Sequence, residues 1–307
     1  CVVPKYDPVT YKGQPWADFI TNHSGKTSVE DIIEIWDNET NVTGETAKIE
    51  REKFRNIAVV RDVGRTHTTN RIDVKGNITC HITLDNIYST YHEKPQNRTC
   101  GTITFLPSTI GNKSELTLNI VGDNRLGCIH YVSYDTNLNH KLIFEGTGSL
   151  TVGDADYKTH NKGGYYSNHF DSVIGASDNN QNCFGITINS GTIYAGSTKV
   201  ENCSAIGAGG NGEGHVTING GRVTAVATTT GTAIGGGIGY SDTGGIGNVY
   251  ITGGSVYAYN YAYNNTIPSS AIGGAGSSAA AGTKGDVYIN GGYVYAYSAL
   301  GTAIGGG

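Results

Sequence analysis

A segment of 11 or 12 residues recurs four times toward the carboxyl end of the chain, and it constrains the fold more than any other feature. The copies follow the pattern Gly-x-Val-x-Ile-x-Gly-Gly-x-Val-x-Ala, with small departures, and begin at Gly185, Gly214, Gly247 and Gly285. An Ala-Ile-Gly triplet follows each copy, at residues 205–207, 233–235, 271–273 and 303–305. The central isoleucines lie 30, 33 and 38 residues apart, at Ile188, Ile218, Ile251 and Ile289. Repeats of this length predict a solenoid.

Within each copy, aliphatic residues alternate with other residue types. In the third copy, tyrosines stand between or beside the aliphatic positions, which are Val249, Ile251, Val256 and Ala258. A period of two is typical of a β-strand whose aliphatic side chains face the core. Asn-Gly-Gly or Thr-Gly-Gly separates the two strands of most copies, and glycine readily adopts the positive φ of a tight turn. With a third inward isoleucine from the Ala-Ile-Gly triplet, each repeat predicts one coil of a parallel β-helix.

The repeat extends over residues 72–307, and at roughly 30 residues per coil this length predicts about eight coils. Three prolines before residue 16 predict extended backbone there, because proline restricts its own φ and the residue before it. We therefore expect four regions, namely an extended arm, a β-rich cap, degenerate coils and regular coils, at residues 1–16, 17–71, 72–180 and 181–307.

The order of the repeated segments is specific. Weaker copies in residues 78–87, 116–122 and 142–152 lead into the regular Gly-x-Val-x-Ile-x-Gly-Gly and Ala-Ile-Gly-Gly repeats. This succession resembles the right-handed β-helix repeats of secreted surface proteins that bind carbohydrate, within the broad pectin-lyase-like architecture. The resemblance covers about residues 72–307 and implies an all-β, right-handed parallel β-helix. It implies the fold more narrowly than the function, because such solenoids include adhesins, polysaccharide binders and enzymes.

The six cysteines are even in number and form no Cys-x-x-Cys pair, which argues against a zinc or thioredoxin-like site. Six cysteines allow fifteen connectivities. Two pairs share a separation of 20 residues, close to one repeat, and this spacing favours the disulfides Cys80–Cys100 and Cys183–Cys203, which leaves Cys1–Cys128.

Eight Asn-x-Ser/Thr sequons occur in the chain, at Asn22, Asn38, Asn41, Asn77, Asn97, Asn112, Asn202 and Asn264. Together with paired cysteines, they predict a secreted or cell-surface protein that carries covalent N-glycans. The chain begins with Cys1 and not with methionine, from which we expect that a leader has been removed. A lipidated bacterial lipoprotein is the alternative interpretation of Cys1.

The net charge, the apolar content and the absence of catalytic motifs exclude several classes of function. The formal net charge is −5 and the pI is near 6.0, which argues against nucleic acid and against an anionic membrane surface. No run approaches about 18 consecutive apolar residues, so we expect no membrane span. The sequence holds no Gly-x-Ser-x-Gly, His-Glu-x-x-His or P-loop motif, and no spacing pairs two carboxylates. We therefore expect no enzymatic activity, no catalytic residue and no cofactor.

The degenerate coils are more polar than the regular ones. Their acidic residues could ligate Ca²⁺ through carboxylate oxygens, and the candidates are Asp154, Asp156, Asp171 and Asp178. No residue fixes a ligand-loop geometry, so solvated loop acids are the simpler interpretation. The histidines, His160 and His169 among them, lack metal-ligand spacing and are expected in exposed loops.

Tyrosines recur at fixed positions of the regular coils. Stacked coils would align them in outward-facing ladders that pair Tyr250 with Tyr288, Tyr257 with Tyr295 and Tyr259 with Tyr297. An exposed aromatic face with a hydroxyl rim suits a pyranose ring, so these six side chains are candidate sugar contacts. The alternatives are a self-stacking ladder that stiffens the surface and a contact between subunits.

The last regular coil carries no charged or proline-bearing cap, whereas solenoids need polar caps and open sheet edges invite pairing. Either the sequence continues beyond residue 307 or another chain covers this coil. We expect a second copy to cover it, and the assembly candidates are Val2, Val3, Tyr6, Val9 and Tyr11 of the arm, with Ala303 and Ile304. The alternative has the arm folded back on its own cap. The predicted function is a structural subunit that polymerises head-to-tail into an extracellular filament. The alternative is a monomeric polysaccharide-binding or adhesin-type surface β-helix.

Overall fold

The computed structural model describes residues 10–11, 14–15, 32–36, 56–60, 71–76, 79–89, 102–107, 113–132, 139–153, 172–176, 181–197, 203–228, 230–238, 245–262, 268–276 and 284–306. In chain order, the strands among these residues are β1 (Thr10–Tyr11), β2 (Gln14–Pro15), β3 (Ile32–Trp36), β4 (Asn56–Val60), β5 (Arg71–Gly76), β6 (Thr79–Asp85), β7 (Tyr88–Ser89), β8 (Ile103–Pro107), β9 (Glu115–Val121), β10 (Asp123–Leu126), β11 (Ile129–Tyr131), β12 (Lys141–Gly146), β13 (Ser149–Gly153), β14 (Ile174–Gly175), β15 (Cys183–Ile188), β16 (Thr192–Ser197), β17 (Ile206–Gly207), β18 (Gly214–Ile218), β19 (Arg222–Ala227), β20 (Ile234–Gly235), β21 (Gly247–Ile251), β22 (Ser255–Asn260), β23 (Ile272–Gly273), β24 (Val287–Ile289), β25 (Tyr293–Ser298) and β26 (Ile304–Gly305). These segments contain no helix, and thus none with the length and apolarity to cross a membrane.

All strands after β2 belong to three parallel sheets. Sheet I contains β4, β6, β9, β12, β15, β18, β21 and β24. Sheet II contains β7, β10, β13, β16, β19, β22 and β25. Sheet III contains β3, β5, β8, β11, β14, β17, β20, β23 and β26. From β6 onward, successive strands enter sheets I, II and III in turn, and each strand pairs with its counterpart one coil away. The predicted parallel β-helix is thereby confirmed.

The strand register follows the repeat. Ile188, Ile218, Ile251 and Ile289 are aligned on neighbouring strands of sheet I. Sheet III carries a longer alignment, an isoleucine column formed by Ile33, Ile72, Ile103, Ile129, Ile174, Ile206, Ile234, Ile272 and Ile304. The column members from Ile129 to Ile272 are fully buried. The core therefore runs along the solenoid between the three sheets, and its repeating apolar contacts fix the register of each coil.

Polar side chains form hydrogen bonds within the turns and between neighbouring coils. Thr232 donates its hydroxyl to the Gly236 carbonyl oxygen at 2.7 Å, and Ser204 donates to the Ala208 carbonyl at 3.0 Å. A serine or threonine therefore closes the turn around each Ala-Ile-Gly triplet, a signal that our sequence analysis did not use. Between sheets I and II, the Asn219 amide donates to the Asn189 side-chain oxygen at 2.9 Å. Such bonds satisfy polar groups where the strands end.

Two strands within residues 17–71, the expected β-rich cap, pair with strands of the solenoid. β3 pairs in parallel with β5 in sheet III, and β4 pairs in parallel with β6 in sheet I. The sheets therefore start before residue 72. In the predicted arm, β1 and β2 pair antiparallel, with Tyr11 opposite Gln14.

The predicted disulfide between Cys183 and Cys203 is not formed, because Cys183 carries a free thiol that is fully buried in the core. The spacing of 20 residues was taken for one full coil, but a regular coil takes 30 residues, as between Ile188 and Ile218. Two-thirds of a coil places Cys183 on sheet I and Cys203 at the entrance to sheet III. Burial raises the pKa of the Cys183 thiol well above its ordinary value. The other two predicted disulfides involve residues outside the described segments.

Candidate functional site

The outer face of sheet II becomes aromatic in its last two strands. In β22, Val256 and Ala258 are fully buried, so the residues that alternate with them face outward. Register pairing places Tyr257 beside Tyr295 and Tyr259 beside Tyr297, as the repeat predicts. Two further tyrosines extend this surface. We call the set the tyrosine platform, which comprises Tyr257, Tyr259, Tyr261, Tyr293, Tyr295 and Tyr297.

The rings of the tyrosine platform touch across the two coils, but not within the aligned pairs that the sequence suggested. The centroid of Tyr257 lies 5.7 Å from that of Tyr293, with the rings tilted by 47°. Tyr259 and Tyr295 are 5.6 Å apart, and so are Tyr261 and Tyr297. Each ring from the β22 side thus contacts a ring two residues earlier than its aligned partner. With the Tyr259–Tyr261 stack at 5.7 Å, these contacts link four rings, and Tyr257 and Tyr293 form a separate pair on the same sheet face.

The tyrosine platform is open to solvent along β25. Tyr293 is 55% exposed, and Tyr295, Tyr297 and Tyr261 are exposed to a lesser extent. Tyr257 and Tyr259 are half-buried beneath their neighbours. A cluster of exposed aromatic rings on one sheet face is the kind of apolar patch that marks a binding surface. Each ring also carries a hydroxyl that donates and accepts hydrogen bonds.

Arg222 borders the tyrosine platform. Its guanidinium carbon lies 4.5 Å from the centroid of the Tyr257 ring, which is cation–π geometry. Arg222 is aligned with Ser255 and, one strand further, with Tyr293. It is the single charged residue in the sequences of β16, β19, β22 and β25. The aromatic surface is therefore neutral apart from one cation at its margin.

The remaining predicted tyrosine pair lies elsewhere. Tyr250 and Tyr288 stack on the outer face of sheet I with centroids 5.0 Å apart and planes 5° apart. Both side chains are exposed, but the stack contains two rings only. Tyr194 shares a sheet II register position with Tyr257, yet Thr224 separates the two, which interrupts the ladder. The tyrosine platform is consequently the larger of the two aromatic surfaces.

A polar cluster lies at the start of β18 and β21. Glu213 Oε1 is 2.6 Å from His215 Nε2, and the Asn248 amide donates to the same oxygen at 3.1 Å. The Phe184 ring packs edge-on against the imidazole. Within the described segments, no group of three His, Cys, Asp or Glu side chains has the arrangement of a metal site. The cluster is therefore a hydrogen-bonded group in which Asn248 links the Glu213–His215 pair to the next coil.

Several predicted site residues fall outside the described segments. They are the calcium candidates Asp154, Asp156, Asp171 and Asp178, the histidines His160 and His169, all eight sequon asparagines, and the arm residues Val2, Val3, Tyr6 and Val9. Tyr11 lies in β1, and Ala303 and Ile304 are exposed on the last coil.

Comparison with known proteins found no matching family model, no matching curated protein and no matching solved structure. The resemblance to pectin-lyase-like surface repeats therefore stays a prediction. The fold and the geometry of the tyrosine platform are the grounds for a functional proposal.

Proposed function

We propose that this chain is a non-enzymatic β-helix scaffold that works outside the cell and binds polysaccharide through the tyrosine platform. The observation that supports it is the clustering of six tyrosine rings from two adjacent coils on one sheet face, as a group of four and a pair whose contacting centroids are 5.6 to 5.7 Å apart. A polysaccharide-binding surface β-helix is the function that the sequence predicts as the alternative to a filament.

The chemistry of the surface suits a sugar. A tyrosine ring offers an apolar face to the C–H groups of a pyranose, while its hydroxyl can bond to the hydroxyls at the sugar's rim. Five of the six rings stand on β22, which is paired on both sides, or on β25, which pairs with β22 and packs Val294 and Ala296 against the core. A surface held in this way loses little conformational entropy when it binds, which favours affinity.

The extracellular location rests on the eight sequons. The free Cys183 thiol removes part of the argument from disulfides, since one of the three expected bonds is absent. Mass spectrometry of the secreted protein before and after enzymatic deglycosylation tests the location and the N-glycans together. Glycans at the sequons would support the proposal, and an unglycosylated intracellular protein would contradict it.

The predicted filament has less support. β24, β25 and β26 end the three sheets, and Ile304 is 42% exposed whereas Ile272 in the preceding coil is fully buried. A further coil would cover this edge as completely as a second copy, so the edge does not favour a filament. Negative-stain electron microscopy tests the prediction, because long threads would support it and discrete particles would contradict it.

Isothermal titration calorimetry with polysaccharides tests the proposed function. Tyr295→Ala should weaken binding about 5-fold, because one aromatic contact contributes about 1 kcal/mol. Tyr288→Ala is the matched control, since Tyr288 lies in the same coil with similar exposure but on sheet I. Circular dichroism confirms that both variants keep the fold. Equal losses in the two variants, or binding unchanged by Tyr295→Ala, would contradict the proposal.

A further inference from the structure

Among the described residues, no side chain or backbone group accepts a hydrogen bond from the Arg222 guanidinium group. Its side chain is exposed, and the ion pairs within the described part of the chain join other residues. Its guanidinium carbon lies over the Tyr257 ring, 4.5 Å from the centroid, and the guanidinium group carries five N–H donors. The contact therefore holds the cation at the margin of the tyrosine platform, with N–H donors available to a ligand.

The position of Arg222 suits an anionic group carried by a sugar that sits on the platform. The Tyr257 ring lies between Arg222, at 4.5 Å, and Tyr293, at 5.7 Å. A sugar ring that stacks on Tyr293 thus has the guanidinium group on the far side of the neighbouring Tyr257 ring. A carboxylate or sulfate on that sugar can reach the donors while the sugar stays stacked.

Two electrostatic effects oppose each other here. The formal net charge of −5 repels an anion at long range, but salt screens exposed charges beyond about 8 Å at physiological ionic strength. Close to the platform, Arg222 is the one charged residue of the four strands that form it and its flank. The local cation therefore dominates for a ligand that lies on the rings.

We propose that the polysaccharide bound by the tyrosine platform is acidic, and that Arg222 donates hydrogen bonds to a carboxylate or sulfate of the sugar stacked beside it. This inference rests on the proposed function and names its class of ligand. The guanidinium fork matches the two oxygens of a carboxylate or sulfate, and such charge-assisted bonds are stronger than neutral ones.

Calorimetry with three probes and two variants tests the inference. The probes are alginate, which carries carboxylates, dextran sulfate, which carries sulfates, and neutral dextran. The wild-type protein should bind one or both acidic probes about 3- to 10-fold more tightly than dextran. Arg222→Gln should remove this preference while dextran binding is retained, and Tyr295→Ala should weaken all three. Added salt should reduce the acidic preference of the wild-type protein and leave Arg222→Gln unaffected.

The outcomes separate the inference from the proposed function. Acidic preference that survives in Arg222→Gln, or tighter binding of dextran than of both acidic probes, overturns the inference alone. Binding that is insensitive to Tyr295→Ala, or absent for every probe, overturns the proposed function as well. Poly-glutamate binding as tightly as alginate would identify an acidic polypeptide as the ligand and would overturn the inference. A preference for alginate or for dextran sulfate tells which anion the site takes.

Discussion

Two glycines at the same turn position separate backbone strain from contact between coils. Gly191 and Gly221 each precede a strand of sheet II, and their φ angles are +90° and +78°, where alanine is strained. A β-carbon on Gly221 would lie 2.5 Å from the carbonyl oxygen of Gly191 in the neighbouring coil. On Gly191 the nearest atom, the Gly148 oxygen, would be 3.5 Å away. Gly191→Ala therefore strains the turn, whereas Gly221→Ala also forces the coils apart.

The structure gives the expected difference between the two variants in the free energy of unfolding. Each alanine costs about 1–2 kcal/mol for its backbone conformation. The Gly221→Ala side chain additionally requires a shift of roughly 1 Å to reach ordinary contact distance. The Gly191 oxygen that must move also accepts the 2.8 Å hydrogen bond from the Arg222 N–H. Weakening that bond adds about 1–3 kcal/mol, so Gly221→Ala should cost about 2–5 kcal/mol in all.

Urea unfolding of both variants, followed by circular dichroism and extrapolated linearly to water, measures these costs. Gly221→Ala should lower the free energy of unfolding by about 1–3 kcal/mol more than Gly191→Ala does. Equal losses would refute the reasoning, because the backbone strain is common to the two sites and the contact between coils is not.

Three further variants test the core, a buried polar group and a thiol. Ile234→Ala, in the isoleucine column, should lower the free energy of unfolding by about 2–5 kcal/mol, and Ile304→Ala by less, since Ile304 is largely exposed. Asn260→Ala should cost about 1–3 kcal/mol in the same urea assay, because its buried amide donates to the Gly231 and Ser269 carbonyls. Burial raises the pKa of Cys183, so unfolding should become easier as pH rises above about 8.5, where the unfolded thiol ionises, and Cys183→Ala should flatten that slope.

The regular coils could be predicted from the sequence because their inward side chains, turns and register repeat together. Ile218 and Ile251 align in the structure as they do in the repeat. β3 and β4 could not be assigned to the sheets, since residues 17–71 contain no glycine-rich turn at a regular spacing. The Cys183–Cys203 prediction failed for a related reason, because a separation in sequence was taken for a full coil when it spans only part of one.

The candidate site was predicted in part. The alternation in β22 and β25 indicates which tyrosines face outward, and the repeat gives their aligned partners. The actual ring contacts are shifted by two residues. This shift depends on the side-chain conformations of the tyrosines, which the sequence repeat does not specify. Tyr293 stands at the repeat position that Ser255 occupies in the preceding coil. Arg222 borders the platform because it contacts the Tyr257 ring one coil away. Neither residue repeats, so a search for recurring positions passes over both.

Hydroxyl-radical footprinting of the tyrosines, with and without saturating alginate, tests the central claim most directly. The rate of side-chain oxidation is read for each tyrosine by mass spectrometry, and the sheet I pair Tyr250 and Tyr288 serves as an internal control. If polysaccharide binds the tyrosine platform, oxidation of Tyr293, Tyr295 and Tyr297 falls while the control pair keeps its rate. Unchanged oxidation of these three residues with alginate bound, or protection confined to the control pair, would contradict the account.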